Sequence, residues 1–579
     1  MINLTIDETQ VEVKEGTTIL EAARKAGIDI PTLCYLKEIN EIGDCRMCIV
    51  EVEGRRGFAT SCVQKAEEGM VVHTNTPAVL EARKTMLDLI LSNHPKDCLT
   101  CIRSGNCELQ ALAIKLNVEH IEYEGERKKH EVDEKSPAIV RDFDKCILCR
   151  RCVGACKRMQ QIGAIDCMNR GFESCVSTAE DNSLADVDCT YCGQCISACP
   201  TGALHEKDNT LEVLAKLKDP EVYTVVQTAP AVRVALGEEF GSKIGTNVKG
   251  QMVTALKRLG FDKVFDTNTG ADFTIMEEAT EFIQRLNGVG TLPMITSCCP
   301  AWVRFAEKNY PDQLEHLSTC KSPHQMFGAI IKSYYAKKIR IDPEKIYVVS
   351  VMPCVAKKYE CTREEMEQEN LRDVDAVITT RELARMIKQA NIEFNDLEDS
   401  EFDHPMGDAT GAAAIFGTTG GVMEAALRTA ADILDKRDLE AIEYQAIRRD
   451  QGIKRAILTI GGKEIHIVIA SGLKNARTIM EEIKRGKADY QFVEIMACPG
   501  GCVMGGGQPI KSAKIRNTVN VRKLRADSIY TIDEKSVIRK SHQNPILQRI
   551  YREFFKEAGS ELAHEYLHTN YKKEEKYKI

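Results

Sequence analysis

Twenty-four cysteines, most of them in close C-x2-C groups, constrain this chain more than any other feature. A chain of 579 residues needs no small disulfide scaffold, and such grouping suits metal ligation in a reducing compartment. The tightest pattern spans residues 146–199. Cys146, Cys149, Cys152 and Cys156 run C-x2-C-x2-C-x3-C; Cys189, Cys192, Cys195 and Cys199 repeat it, with Pro200 following. In paired runs of this kind the fourth cysteine ligates the cluster of the other run. The expected sets are therefore Cys146, Cys149 and Cys152 with Cys199, and Cys189, Cys192 and Cys195 with Cys156, each for a [4Fe-4S] cluster. Eight interleaved thiolates match no common zinc module. Cys167 and Cys175, in the insertion between the runs, read as packed thiols.

Two further ligand groups precede these runs. Ile2, Leu4 and Ile6 alternate with polar residues, as do Val11 and Val13, which predicts a hairpin; Thr17–Ile28 reads as a capped amphipathic helix. Cys34, Cys45, Cys48 and Cys62 follow, a close pair with two outliers, which suits a [2Fe-2S] cluster. Zinc or four structural cysteines would share the spacing; the order of hairpin, helix and cysteine loop resembles a β-grasp ferredoxin. A leucine-rich helix (Leu80–Leu91) then leads into His94, Cys98, Cys101 and Cys107, a donor set that zinc also accepts.

From residue 209 strand-like segments (Tyr223–Thr228, Ile346–Val351, Phe492–Ile495) alternate with helical ones (Val248–Leu259, Val422–Leu434). That predicts α/β layering with parallel strands buried on both faces. Three cysteine segments, Thr296–Trp302, Met352–Glu360 and Glu494–Cys502, each follow an apolar run and read as loops past strand ends, where ligands of such sheets collect. Soft thiolates gathered there suit an iron–sulfur centre.

Together these three loops resemble the active-site signature of [FeFe]-hydrogenases, and the resemblance covers nearly the whole chain. It implies reversible H2 oxidation and proton reduction at an H-cluster, a [4Fe-4S] unit joined to a di-iron unit carrying CO, CN and a bridging dithiolate. Cys299, Cys354, Cys498 and Cys502 would hold it, with Cys502 bridging its two parts. Lys357 would hydrogen-bond a cyanide and Glu360 would support Lys357. Ala229, Pro230, Met352, Phe416 and Met496 would wall the site. Cys298 would donate protons, with Glu278, Ser318, Glu281 and Arg285 as the relay to the surface; the spacing of Glu278, Glu281 and Arg285 also fits an ordinary salt-bridged helix face. Residues 94–107 resemble the segment with one histidine and three cysteine ligands shared with respiratory Complex I, which makes a third accessory [4Fe-4S] cluster.

Two positions depart from the family pattern. Ala301 replaces a glycine, and His324 stands where many relatives have glutamine, so that glutamine's role is not carried over. Cys320 and Cys361 match no ligand position and read as packing thiols. Gly417–Gly421 lacks the Lys-Ser/Thr ending of a phosphate loop and reads as close packing.

The expected architecture is multidomain α+β and α/β: a [2Fe-2S] β-grasp domain (1–77), a histidine/cysteine-ligated [4Fe-4S] domain (78–125), a ferredoxin-like domain with two [4Fe-4S] clusters (138–208), an α/β H-cluster domain (209–512) and a C-terminal helical belt (513–579) ending in a frayed tail, 572–579. A net charge of −8 gives no nucleic-acid footprint, and the N-terminus lacks the regions of a signal peptide. A cytoplasmic protein without a membrane span is expected. Segments 169–174, 228–234 and 497–502 look closer to the catalytic subunits of multi-subunit, NAD(P)-linked and electron-bifurcating hydrogenases. That implies a flavin- and NAD(P)-binding iron–sulfur partner, a small [2Fe-2S] partner and ferredoxin. A stand-alone ferredoxin-dependent hydrogenase is the alternative. Three other classes fit less well: assembly proteins depart at H-cluster cysteines that are all present here, H2 sensors typically carry signalling domains that this sequence does not show, and a pure electron-transfer subunit would explain only the first 208 residues.

Overall fold

The computed structural model describes residues 1–127, 129–407, 409–435 and 452–578. The stretch 436–451, inside the expected catalytic domain, lies outside the described residues.

The N-terminal hairpin forms from β1 (Ile2–Ile6) and β2 (Thr9–Val13), whose alternating apolar residues face one core. The following helix is shorter than its pattern, Ile19–Lys25, because the Thr18 side chain caps it by accepting from the Glu21 N–H. Strands β3 (Ile49–Val52), β4 (Phe58–Thr60) and β5 (Val71–His73) complete a five-stranded mixed sheet of order β2-β1-β5-β3-β4. The helix Pro77–Ser92 leads out of this module and Glu108–Lys115 closes the next. In the paired-run module, β6 (Ile139–Arg141) pairs with β9 (Leu204–Glu206), so the two ends of the module are tied together. Between them β7 (Asp166–Met168) and β8 (Cys175–Ser177) form a hairpin, in which Cys167 is exposed rather than packed as its place between the runs suggested.

Among the described residues, 209–512 hold two four-stranded sheets. β10 (Tyr223–Thr228), β11 (Lys263–Asp266), β13 (Ile346–Met352) and β16 (Ala376–Thr379) make a parallel sheet of order β11-β10-β13-β16, and the short hairpin of β14 (Glu367–Gln368) and β15 (Leu371–Arg372) precedes β16. The second sheet has the order β12-β19-β18-β17, from β12 (Met294–Ile295), β17 (Ile453–Ile460), β18 (Lys463–Ser471) and β19 (Phe492–Met496). Its β17 runs antiparallel, which corrects the all-parallel expectation. The reason is local: Gly461 and Gly462 both take positive φ and form the tight hairpin turn, and β17 alternates buried and exposed residues as an edge strand does.

The C-terminal residues wrap this core through helices Val521–Lys535, Pro545–Ile550 and Glu561–Leu567. The tail beyond them is anchored, not frayed. Glu574 accepts from the Arg304 guanidinium at 2.5 Å and from the Tyr359 hydroxyl, and the Lys578 N–H donates to the Asp186 carbonyl at 2.9 Å. Arg304, 3% exposed, and the half-buried Tyr359 hold Glu574 in place.

Candidate metal centres and active site

The carboxyl ends of β12, β13 and β19 converge from the two sheets. Cys299 lies at the N-cap of the helix Pro300–Asn309, Cys354 just past β13, and Cys498 and Cys502 in the glycine-rich loop after β19. The four thiols line one cavity of about 80 Å³, with Cys298, Ala229, Pro230, Met352, Phe416, Met496, Lys357 and His324. The loop after β19 is drawn tight: a Cβ on Gly505 would sit 2.1 Å from the Pro353 carbonyl oxygen. The Ala497 N–H donates to the Cys299 sulfur at 3.5 Å. Four soft donors in a dry, apolar cavity, with a backbone N–H aimed at sulfur, fit an iron–sulfur centre.

One cation enters this cavity. Lys357 Nζ donates to the Cys298 carbonyl at 3.1 Å and to Glu360 at 2.7 Å. Burial works against its charge, but the Glu360 carboxylate overrides it and raises the Lys357 pKa. Burial likewise opposes the Glu360 charge, and Lys357 and His324 still lower that carboxyl to about 2. His324 is held down to about 4, by burial and then by Lys357, so it is neutral. Its Nε2 lies 2.5 Å from Glu360 and its Nδ1 3.2 Å from the Ser350 hydroxyl. The proton therefore belongs on Nε2, and His324 serves to brace Glu360 rather than to add charge to the pocket.

The helix Thr267–Leu286 carries Glu278, Glu281 and Arg285. Both Glu278 oxygens are buried and geometrically unpaired. Burial, then repulsion from Glu281, pushes its carboxyl up to about 8, so it keeps its proton at neutral pH. Burial, then Glu278, raises the Cys298 thiol well above its ordinary value. The Ser318 hydroxyl donates to Glu281 at 3.0 Å, and Arg285 donates to Glu281 at 2.5 Å. Glu278, Glu281 and Arg285 thus share one face of this helix, and Ser318 reaches Glu281 from a neighbouring loop. Cys320 is buried in the core as a packing thiol, and its sulfur also lies 3.9 Å from Glu281. Cys361 donates to the Lys358 carbonyl at 3.2 Å. The N-terminus of the helix Gly421–Asp435 is filled by a carboxylate: Glu494 accepts from the N–H groups of Gly420 and Met423 at 2.6 and 2.8 Å.

The remaining cysteines gather into further groups. Cys34, Cys45, Cys48 and Cys62 interact with one another. Cys199 lies with Cys146, Cys149 and Cys152, whereas Cys156 lies with Cys189, Cys192 and Cys195. Cys98 and Cys101 share a turn, and Cys101 lies near Cys107. His94 is kept neutral by burial, and its Nδ1 is buried with no hydrogen-bond partner. A neutral imidazole with one orphaned nitrogen is what a metal ligand requires.

Contacts that sequence spacing gave no sign of connect these groups. Asn40 Nδ2 donates to the Cys34 carbonyl at 2.8 Å and to the Cys149 carbonyl at 2.9 Å. Arg103 donates to the Cys199 carbonyl at 3.2 Å. Towards the cavity, Gln160 donates to the Ala497 carbonyl at 2.7 Å, and Gly193 and Gly506 abut so closely that a Cβ on Gly506 would fall 2.7 Å from the Gly193 Cα.

Residues 222–506 match the C-terminal domain of the iron-only hydrogenase large subunit. The chain also matches a 2Fe-2S cluster-binding domain over 1–77, the NADH-ubiquinone oxidoreductase-G iron–sulfur binding region over 83–122, a 4Fe-4S binding domain over 187–205 and the iron hydrogenase small subunit over 519–574. It is 48% identical to the NADP-reducing hydrogenase subunit HndD of Solidesulfovibrio fructosivorans, across 100% of both chains. The chain belongs to the [FeFe]-hydrogenase family. It is also similar to iron hydrogenase 1 of Clostridium pasteurianum, at 45% identity over 99% of this chain and 100% of that one. Among solved structures, the apo [FeFe]-hydrogenase HydA1 from Chlamydomonas reinhardtii is 38% identical with a TM-score of 0.57, covering 63% of this chain and 99% of its own. This hydrogenase is therefore an oxidoreductase acting on H2, with iron–sulfur domains that relay electrons. No helix of the described residues is long and apolar enough to cross a membrane.

Proposed function

We propose that this hydrogenase is the H2-activating subunit of an NAD(P)- and ferredoxin-linked, electron-bifurcating complex. The observation that carries this reading is the end-to-end similarity to a relative named as an NADP-reducing hydrogenase subunit. On this reading a flavin- and NAD(P)-binding iron–sulfur subunit and a small [2Fe-2S] subunit exchange electrons with the N-terminal modules, with boundaries at 1–77, 78–125 and 138–208. The full-length similarity to iron hydrogenase 1 supports a second reading, a stand-alone enzyme that uses ferredoxin alone.

The ligand sets follow the thiol groups: Cys34, Cys45, Cys48 and Cys62 for a [2Fe-2S] cluster; His94, Cys98, Cys101 and Cys107, and the two crossed cysteine sets, for three [4Fe-4S] clusters; and Cys299, Cys354, Cys498 and Cys502 for the H-cluster. When bound, the H-cluster supplies reversible cleavage of H2 into protons and electrons. The protein's own part is to exclude water and move protons. Met352, Phe416 and Met496 keep the cavity apolar. Lys357, held charged by Glu360, offers a fixed ammonium donor to an anionic ligand. Cys298 holds a proton on its sulfur at the cavity edge and exchanges it with Glu278; Ser318 and Glu281 carry it onward.

The deciding experiment is H2 oxidation by the complex from its native host, with NAD(P)⁺ and oxidised ferredoxin supplied separately and together. Turnover that requires both acceptors is expected. Turnover with ferredoxin alone, and no flavoprotein copurifying, would replace this reading by the second.

A further inference from the structure

A guanidinium stays protonated at any working pH, so Arg285 cannot take up the proton that Glu281 receives. Its nitrogens are also fully engaged, donating to Glu281 and to the carbonyls of Thr291, Glu315, His316 and Leu317. Arg285 fixes one carboxylate oxygen of Glu281 and goes no further. The other oxygen points elsewhere. Glu281 Oε2 accepts from Ser318 Oγ at 3.0 Å and lies 3.2 Å from Thr319 Oγ1. Thr319 Oγ1 lies 2.7 Å from His568 Nδ1. His568 Nε2 lies 3.1 Å from Glu277, which assigns the ring proton to Nε2 and leaves Nδ1 to accept from Thr319.

The C-terminal belt delivers this histidine by strand-like pairing. Cys320 and His568 form an antiparallel bridge, flanked by the Lys321 N–H to the Leu567 carbonyl (2.8 Å) and the Thr569 N–H to the Thr319 carbonyl (2.7 Å). One helical turn earlier, the exposed His564 lays its ring against His568 with centroids 4.1 Å apart. The titratable groups around His568 are Glu277 and Glu281 from the helix Thr267–Leu286, Cys320, His564 on its own helix, and Tyr551, which donates to Glu277 at 2.5 Å.

We propose that Thr319 and His568 form the outer limb of the proton path, carrying protons between Glu281 and Glu277 at the C-terminal belt. This rests on the relay reading from Cys298 to Glu281. In the outward direction the Glu281 carboxyl gives its proton to Thr319 Oγ1 while that hydroxyl's own proton passes to His568 Nδ1. His568 then gives its Nε2 proton to the Glu277 carboxylate, 3.1 Å away. One proton moves; no electron is transferred and no bond between heavy atoms changes.

The test uses the fully loaded, full-length enzyme with an artificial electron acceptor, so that partner subunits do not limit the rate. His568→Gln keeps a hydrogen-bonding amide in place but cannot shuttle a proton, and Thr319→Val breaks the link that Thr319→Ser keeps. Expected are an about tenfold fall in turnover and an enlarged solvent isotope effect in H568Q and T319V, with T319S close to wild type. The second readout is infrared: exchange of the Glu278 carboxyl proton with D2O slows about tenfold in H568Q and T319V. Glu278→Gln is the control and abolishes turnover. If H568Q and T319V match wild type in rate, isotope effect and exchange while E278Q is dead, the outer limb is overturned and the inner relay stands. If E278Q turns over normally, the relay reading itself falls. Should H568Q fail to fold, judged by melting and iron content, the T319V and T319S pair decides in the same way.

Discussion

Burial makes Glu278 an acid at neutral pH, and this has a measurable cost. Its carboxyl rises from an ordinary 4.5 to about 8, so between those values the folded chain holds a proton that the unfolded chain has released. The stabilisation is therefore complete below about pH 4.5 and is lost as pH rises through about 8. E278Q, always neutral, should gain in melting temperature over wild type across that window; a constant difference would show that Glu278 is not protonated in the fold. At this scale the thiol groups of the N-terminal modules were legible because their spacing is local. So was the pairing of Lys357 with Glu360, three positions apart on one short helix. The bracing of Glu360 by His324, the bridge from Asn40 to Cys149 and the reach of His568 to Thr319 were not, since their partners lie 36, 109 and 249 residues away. Cys167 misled for the opposite reason: a thiol between two ligand runs reads as packed, and only the β7–β8 hairpin puts it outside.

Among the elements, β10, β13 and β19 coincide with apolar, β-branched runs, because a strand buried on both faces needs such a run and little else. What periodicity did not convey was the division into two sheets, which depends on which strands pair. The Gly461-Gly462 turn was a readable signal for the β17–β18 hairpin. The loop after β19 has two tasks, to present Cys498 and Cys502 and to dock on the loop of Cys192 and Gly193. Replacing Gly506 by alanine would set a Cβ 2.8 Å from the Cys192 carbonyl oxygen and force the two loops apart. Gly506→Ala is expected to slow H2 oxidation by acceptors that enter through the N-terminal modules, roughly tenfold or more, while H2/D2O exchange at the active site persists. Equal loss of both activities would mean that the substitution had damaged the cavity instead.

Across the whole molecule, the order of modules was visible from cysteine spacing, but their mutual arrangement was not. The tail shows why: 572–579 is rich in charge and reads as solvated, yet Glu574 is claimed by Arg304 and Tyr359 from elements far back in the chain. The same long-range packing decides where the N-terminal modules attach. The [2Fe-2S] module reaches the paired-run module through Asn40 at Cys149, and the histidine/cysteine module reaches it through Arg103 at Cys199; both cysteines belong to one thiol group. With the ligand sets proposed above, Cys48→Ala should remove one electron entry and leave the other. Cys149→Ala should silence NAD(P)- and ferredoxin-linked turnover together while active-site exchange continues, as assays with each acceptor would show. Drawn as a circuit, the proposed ligand sets would give two inputs soldered to a single junction, with one lead from there to the active site. Partners docked on the two inputs would then draw on the same junction.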